Sequence, residues 1–168
     1  MLDRWKLKFI PMNKILLIVS GFLLGACCNE DFIIPDYDFQ EFAIDVTARI
    51  DAGCTPDAAF TTVGATPDGD GFDCIPNPQH NRWFKFQANY TYIYIYVFVG
   101  GTEGTQRKTS VTLWEADGTT PVTCVKWELD DDDIYLYTPV TQDAWYYFSV
   151  DVDDAPSVGT FSVCLYTD

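Results

Sequence analysis

Histidine, basic residues and long apolar runs are all scarce in this sequence. It has 1 histidine, and its 10 lysines and arginines face 25 aspartates and glutamates, so the net charge is -15 at pH 7. The histidine, His80, sits in the polar segment Pro78–Asn81, which argues against zinc binding and against Ser-His-Asp or Cys-His catalysis. An acidic surface repels the phosphates of nucleic acids and favours cations or basic partners, so a nucleic-acid-binding function is excluded.

The apolar run nearest the N-terminus is too short to cross a membrane. It covers Ile15–Leu24, which is 10 residues, whereas a transmembrane helix needs roughly 20. Basic residues precede the run and small residues follow it, which is the pattern of a secretory signal peptide. We therefore expect a leader at residues 1–26, and its basic residues are Arg4, Lys6, Lys8 and Lys14.

The leader is followed by a candidate lipidation site. The stretch Leu24-Gly25-Ala26-Cys27 resembles the lipobox of bacterial lipoproteins. This resemblance implies that the Cys27 thiol is lipidated after the leader is removed, and that more than one acyl chain anchors the protein. The acidic pair in Cys28-Asn29-Glu30-Asp31 resembles the surface-export signal of lipoproteins in the Bacteroidetes group. The expected location is the outer membrane, facing the cell surface; an ordinary signal peptide followed by a solvated tether is the alternative.

The rest of the chain is long enough for one domain with a hydrophobic core. We assign residues 27–41 to a polar tether and residues 42–168 to a single folded domain. The leader carries four of the basic residues and one of the acidic residues, which leaves 6 bases against 24 acids, a net charge of about -18. A charge of this size keeps an exported domain soluble.

The cysteines of the domain indicate an oxidising environment. Cys54, Cys74, Cys124 and Cys164 form an even set without a Cys-x-x-Cys motif, so disulfides are favoured over a zinc site. Four cysteines allow three connectivities, and the sequence does not choose between them. We favour Cys54–Cys74 with Cys124–Cys164, because the first of these bridges closes the shorter loop. Cys28, beside the anchor, is then left without a partner.

Alternating apolar and polar residues, separated by glycine- and proline-rich turns, predict β-strands throughout the domain. No segment has a sustained helical period. Strands of this length and spacing predict an all-β fold, an antiparallel β-sandwich of about nine strands. The predicted strands are 42–50, 59–63, 82–86, 90–99, 109–115, 121–128, 133–138, 144–152 and 159–166.

The predicted strand Tyr90–Val99 has two chemically different faces, because side chains alternate across a strand. One face is β-branched, with Ile93, Ile95 and Val97 at its centre, and suits a core between two sheets. The other carries aromatic rings, either as a second buried surface or as an exposed ladder, about 7 Å between rings, on which sugar rings stack. We take Tyr92, Tyr94 and Tyr96 as the candidate ligand-binding residues.

A series of landmarks runs along residues 42–167. It consists of Cys54, Thr61–Thr66, Cys74, Asn81–Phe86, Val111–Trp114, Cys124, Asp130–Asp132, Ala144–Val150 and Gly159–Cys164. Their order resembles that in the pre-peptidase C-terminal (PPC-like) domains of secreted bacterial proteins. The resemblance implies a jelly-roll-like β-sandwich that serves as a non-catalytic accessory module, with relatives that bind collagen or polysaccharide. No catalytic domain precedes the module in this sequence, so we do not expect it to assist an enzyme in the same chain.

Two acidic clusters are candidate calcium sites, because calcium binds 6–8 oxygen ligands and such loops offer carboxylates and carbonyls. The first lies in a glycine-bent loop, which lacks the glutamate of an EF-hand, and the second is a run of aspartates. Solvated turn residues are the alternative for both. The candidate ligands are Asp68, Asp70 and Asp73 in the first cluster and Asp130, Asp131 and Asp132 in the second.

We therefore expect a lipid-anchored surface protein that binds an extracellular glycan or protein and is not an enzyme. Abundant acids leave two-carboxylate glycosidase chemistry open, but they cluster in predicted turns and do not face one another from strand interiors. The main alternative is a structural subunit of a surface assembly or filament, in which exposed edge strands and the segment 28–41 mediate strand addition between copies. A calcium-stabilised accessory module is a further alternative.

The anchoring hypothesis predicts that Cys27→Ser abolishes membrane association, because the variant has no thiol to accept the lipid. Detergent phase partitioning measures this, and we expect the variant in the aqueous phase or as unprocessed precursor. Cys28→Ser is the matched control and stays in the detergent phase. A Cys27→Ser protein that still enters the detergent phase contradicts the hypothesis.

Overall fold

A computed structural model describes residues 37–67 and 71–168, and this part of the chain is built from β-strands. Its helical segments are three short 3-10 turns, at Gln40–Phe42, Thr47–Arg49 and Ala155–Ser157, and none of its helices is long and apolar enough to span a bilayer. The strands are β1 (Ile44–Asp45), β2 (Phe60–Thr61), β3 (His80–Gln87), β4 (Tyr92–Phe98), β5 (Ser110–Trp114), β6 (Pro121–Lys126), β7 (Ile134–Pro139), β8 (Trp145–Val152) and β9 (Thr160–Thr167).

The strands form two sheets. One has five strands in the order β1-β3-β8-β5-β6, and the other has four in the order β2-β9-β4-β7. All pairs are antiparallel except β1 with β3, which are parallel. The prediction of an all-β, antiparallel sandwich of about nine strands is therefore confirmed. β3 to β9 match the predicted strands to within two residues at each end.

The core lies between the inner faces of the two sheets. Ile93, Ile95 and Val97 of β4 are fully buried there, as the alternation of β4 predicts, and they belong to one cluster with Phe84 and Phe148 from the opposite sheet. Phe84 and Phe148 stack at 4.8 Å between ring centroids. Burial of this apolar surface is the main favourable contribution to folding.

The predicted first strand, 42–50, forms only the two residues of β1 and then a 3-10 turn. The reason is that this segment crosses from one sheet to the other. Ile44 pairs with Phe84 in the five-stranded sheet, whereas Ile50 forms a bridge with Leu165 in the four-stranded sheet. A chain that changes sheets cannot keep one continuous ladder, so it closes this side of the sandwich instead.

The folded unit begins before residue 42, inside the segment assigned to the tether. Asp38 is 2% exposed and lies 2.7 Å from the guanidinium of Arg82, which is 1% exposed on the inner side of β3. The Tyr37 carbonyl accepts a hydrogen bond from the Trp83 amide, and its ring lies 5.0 Å from the Arg82 guanidinium carbon. Residues 37 and 38 are thus part of the domain.

The disulfide pairing that the sequence favoured is wrong. The bridges are Cys54–Cys164 and Cys74–Cys124. The amide of Thr55 donates to the Val163 carbonyl, so the chain beside Cys54 runs next to β9, where Cys164 lies. Cys74 belongs to a loop whose Phe72 packs on the outer face of the five-stranded sheet, where β6 carries Cys124. Loop length misled the prediction because sheet pairing brings distant segments together.

One carboxyl group is buried without a cation beside it among the described residues. Asp151 of β8 is 2% exposed, and its register neighbours are Asn81 and Ser110. Burial raises the pKa of Asp151 to about 7, although a hydrogen bond from the Ser149 hydroxyl at 2.8 Å opposes this shift. The carboxyl group therefore holds its proton well above the pH at which an exposed aspartate loses it.

This shift predicts that the protein is more stable at low pH than at high pH in the range that Asp151 titrates. The native state binds more protons than the unfolded chain between about pH 4 and about pH 7, so the free energy of unfolding falls as the pH rises through that range. Asp151→Asn removes this pH-dependent fall in the free energy of unfolding. We expect the variant to be more stable than the wild type at pH 8, by up to about 4 kcal/mol, and to show no such gain at pH 4.

Chemical denaturation at the two pH values tests this prediction. Asp153→Asn is the matched control, because Asp153 is exposed just beyond the end of β8. The prediction is contradicted if the free energy of unfolding of Asp151→Asn depends on pH in the same way as that of the wild type.

Candidate functional site

The outer surface of the four-stranded sheet is covered by aromatic side chains. Tyr94 of β4 lies between Tyr137 of β7 and Tyr166 of β9, and Tyr96 lies beside Tyr135. We call this surface the aromatic face, and it consists of Tyr92, Tyr94, Tyr96, Phe98, Tyr135, Tyr137 and Tyr166.

The alternation of side chains explains why the rings share one surface. In β4 the β-branched residues fill the core, so the aromatic residues between them must point away from it. β7 repeats the pattern, since Ile134 and Leu136 are buried while Tyr135 and Tyr137 are exposed. The structure thus places Tyr92, Tyr94 and Tyr96 on an outward face, and adds β7 tyrosines that we did not single out. The alternation of 134–137 was their signal.

The aromatic face is accessible to solvent at its margins and half-buried at its centre. Tyr135 is 63% exposed and Tyr137 is 46% exposed, whereas Tyr94 and Tyr96 are half-buried beneath their neighbours. The Cys54–Cys164 disulfide borders the face on the β9 side, where the Cys54 sulfur lies 3.6 Å from the Tyr166 hydroxyl. The face is therefore a partly exposed aromatic patch, and a disulfide joins its β9 border to the segment at Cys54.

The rings stack on one another. The centroids of Tyr94 and Tyr137 are 4.4 Å apart at an interplanar angle of 23°, and those of Tyr96 and Phe98 are 5.9 Å apart at 8°. Along β4, Tyr94 and Tyr96 are 6.4 Å apart, slightly closer than the spacing of about 7 Å expected from the strand rise. Nearly parallel planes at these distances are offset-stacked pairs.

Stacking determines what the face offers to a ligand. Ring faces that turn toward one another leave ring edges and phenolic hydroxyl groups toward solvent. Tyr135 stacks on Tyr96 but is the most exposed ring of the set, so part of its surface is open. The face therefore combines apolar edges with hydroxyl groups that donate and accept hydrogen bonds, rather than a row of flat, uncovered rings.

The Tyr137 hydroxyl group stays protonated at physiological pH. Crowding by neighbouring rings removes water from the Tyr137 phenol and raises its pKa above the ordinary value, and the phenols of Tyr94 and Tyr92 act in the same direction. Next to them, a shallow groove of about 310 Å³ is lined by Tyr94, Tyr96, Tyr166, Thr167 and Asp168. This groove is open to solvent and has a mixed aromatic and polar lining.

Of the aspartates predicted as calcium ligands, the structure describes Asp73, Asp130, Asp131 and Asp132, and these are not gathered into a metal site. Among the described residues, no three His, Cys, Asp or Glu side chains lie close enough to hold a metal ion. Asp130 pairs with Arg107 at 2.9 Å on the surface, and Asp132 accepts from the Leu129 amide within its own turn. Asp131 and Asp73 are exposed. Asp68 and Asp70 lie outside the described residues, and calcium binding stays a prediction.

His80 occupies a structural position at the start of β3. Its Nδ1 atom lies 2.8 Å from the carbonyl oxygen of Ala65, and the side chain is half-buried. An Nδ1–H that donates to this carbonyl ties the loop of residues 62–66 to β3.

Comparison with known proteins gives one weak structural similarity and no family. No protein-family model and no curated protein matches the chain. Among solved structures, the chain is similar to a family GH115 4-O-methyl-alpha-glucuronidase with specificity for decorated arabinogalactans, at 16% sequence identity and a TM-score of 0.36. The match covers 55% of this chain and 14% of that protein. A TM-score of this size does not show a shared fold.

The position of Tyr94 outside the core predicts a mild effect of its removal on stability. Tyr94→Ala loses one tight ring pair and part of its apolar contact area, and we expect a loss of about 1–2 kcal/mol in the free energy of unfolding. Phe148→Ala, in the core, loses about 3–5 kcal/mol. Urea denaturation measures both, and a Tyr94→Ala loss as large as that of Phe148→Ala would place Tyr94 in the core.

Proposed function

We propose that this protein is a non-catalytic binding module that recognises an extracellular glycan or protein through its aromatic face. The observation that carries the proposal is the continuous, solvent-accessible cluster of seven aromatic side chains on one sheet. Exposed apolar patches of this kind mark interaction sites on soluble domains, because leaving them in water is unfavourable.

The chemistry of the face suits a sugar chain. Pyranose rings present apolar C–H surfaces edged by hydroxyl groups, and the face presents aromatic edges among phenolic hydroxyl groups that both donate and accept. Tyrosine is also enriched at protein interfaces, because its side chain combines an apolar ring with a polar hydroxyl group. A protein ligand is therefore the second possibility.

The charge of the chain limits the ligand further. The net charge is -15, and Asp168 lines the groove beside Tyr94. This field disfavours sulfated or uronic-acid-rich chains and is compatible with neutral glycans or basic proteins.

The setting is extracellular. Two disulfides are typical of an oxidising environment outside the cytoplasm. We further propose that lipidation at Cys27 holds the protein at the outer membrane, so that the segment after Cys27 links the lipid to the domain and the aromatic face meets its ligand at the cell surface.

A glycan array probed with the full-length protein in detergent tests the proposal. We expect binding to neutral glycans, and Tyr135→Ala to lower the affinity for the best of them by about two- to tenfold, because one aromatic contact contributes about 0.5–1.5 kcal/mol. Trp145→Ala is the matched control, since Trp145 is 40% exposed but lies on the five-stranded sheet. We expect Trp145→Ala to bind the glycan with the wild-type affinity.

Two results would contradict the proposal. One is an equal loss of affinity in Trp145→Ala and Tyr135→Ala, which would place the binding site elsewhere. The other is the absence of binding both to the array and to a panel of extracellular matrix proteins.

A further inference from the structure

The two sides of the sandwich, where the edges of the two sheets lie next to each other, differ in how their edge strands are covered. On one side the edge strands are β1 and β2, each only two residues long, and the segment from Ile44 to Ile50 passes from sheet to sheet across it. On the other side the edge strands are β6 and β7, each six residues long, and neither pairs with the other. This second side carries unpaired strand edges, which are sites for strand addition.

The hydrogen-bond pattern shows which backbone groups of β7 are free of β4. The amide of Val140 donates to the Thr91 carbonyl at 2.9 Å, so these two residues form a hydrogen-bonded pair. Hydrogen-bonded and non-hydrogen-bonded pairs alternate along an antiparallel ladder. Tyr135 and Tyr137 therefore belong to non-hydrogen-bonded pairs, and their N–H and C=O groups point away from β4, toward the open edge.

A groove of mixed lining runs beside this edge. It has a volume of about 540 Å³, with Thr123 and Val125 of β6 on one wall and Ile134 and Leu136 of β7 on the other. Charged side chains line the end near the β6–β7 connection, namely Lys126, Glu128, Asp132 and Asp133. Ile134 and Leu136 are almost fully buried members of the core, so the apolar part of the groove adjoins the interior. An extended peptide could pair with β7 through its backbone while it places alternate side chains in the groove.

β7 is a better acceptor than β6. The edge of β6 begins at Pro121, and its Cys124 is bonded to the loop that carries Cys74. β7 has its proline, Pro139, only at the last position, so the N–H groups of its central residues are available.

We propose that the β7 edge accepts an added strand from a second copy of this chain, and that the donor is the apolar triplet Phe32-Ile33-Ile34. The triplet interrupts a polar segment and is followed by Pro35, which ends strand pairing on its side. It precedes Tyr37, whose ring packs against Phe60 of β2 at 5.8 Å.

Geometry favours a second copy over the same chain. β2 and β7 are the opposite edges of the four-stranded sheet, so a strand added outside β7 lies four strand spacings, or about 19 Å, from β2. Phe32, the far end of the triplet, is five residues from Tyr37, a reach of at most about 18 Å. This reach is too short for the triplet to pair with β7 of the same chain, so the acceptor is the β7 of a neighbour, which gives a head-to-tail contact that repeats from copy to copy.

Strand addition leaves the aromatic face open. The added strand lies beside β7 in the plane of the sheet, so it flanks Tyr135 and Tyr137 rather than covering them. Assembly would thus align several aromatic faces along one polymer, which increases binding through effective concentration.

Site-specific photo-crosslinking in the full-length protein tests this inference. The residue p-benzoylphenylalanine replaces Ile33 in chains with two different tags, expressed together in a bacterial envelope. We expect an ultraviolet-dependent dimer that carries both tags, with crosslinks that map to residues 123–137 of the partner copy. The same probe at Ala116, in an exposed turn, gives no dimer.

Variants separate the donor from the acceptor. Thr123→Arg, which places a bulky charged side chain on the wall opposite Ile134 and Leu136, lowers the dimer yield at least about tenfold. Val125→Arg is a second variant of the same wall. Phe32→Asp with Ile34→Asp disables the donor. The two defects complement each other, because a chain with a normal triplet can still add its strand to a chain with a normal groove.

The decisive experiment co-expresses the donor-defective and groove-defective chains, with the probe at position 33 of the groove-defective chain. We expect dimers that carry both tags, although neither variant forms dimers alone. Crosslinks confined to one copy, crosslinks to the aromatic face, or failure of the two variants to complement each other would each overturn the inference.

Discussion

The buried guanidinium of Arg82 holds together the parts of this domain that strand pairing alone does not connect. It pairs with Asp38 at 2.7 Å through Nη1, and its other two nitrogens, Nε and Nη2, donate to the carbonyls of Thr61 at 2.8 Å and Val63 at 3.1 Å. Asp38 in turn accepts from the amide and hydroxyl of Thr66. One planar cation therefore joins the entry of the chain, the turn after β2 and the inner side of β3, and a guanidinium suits this because its donors form a rigid fork.

The free-energy cost of burying two charges explains why both Arg82 and Asp38 make further hydrogen bonds. Burial lowers the pKa of Arg82, because an uncompensated charge is unfavourable in the interior, and Asp38 acts in the opposite direction. A buried ion pair adds stability only when its other polar groups are also bonded. Both partners here meet that condition, so the pair specifies where residues 37–38 and 61–66 lie. With that end of the sandwich held, the two-residue strands β1 and β2 are sufficient as edges.

Both proposed activities involve β7, at the other edge of the four-stranded sheet. The aromatic face and the β6–β7 groove meet at β7, where Tyr135 and Tyr137 line both. The period of two along a strand makes this possible: Tyr135 and Tyr137 turn outward, Ile134 and Leu136 turn into the groove, and the free backbone groups point sideways. A binding surface and an assembly edge can therefore lie side by side on one strand, with Tyr135 and Tyr137 at their border.

Local pattern was enough to predict most of the elements, whereas it did not predict which segments meet. The sequence alone determined the β class, the positions of β3 to β9 and the division of β4 into a core face and an aromatic face, because alternation depends only on neighbours along the chain. The tertiary structure decided the disulfides, since β9 runs beside Cys54 and the loop of Cys74 lies over the outer face of the five-stranded sheet. It also decided that 42–50 crosses between sheets, that Tyr135, Tyr137 and Tyr166 join the β4 rings, and that Asp151 is buried. Each of these depends on contacts between residues far apart in sequence, which strand register creates and local periodicity does not encode.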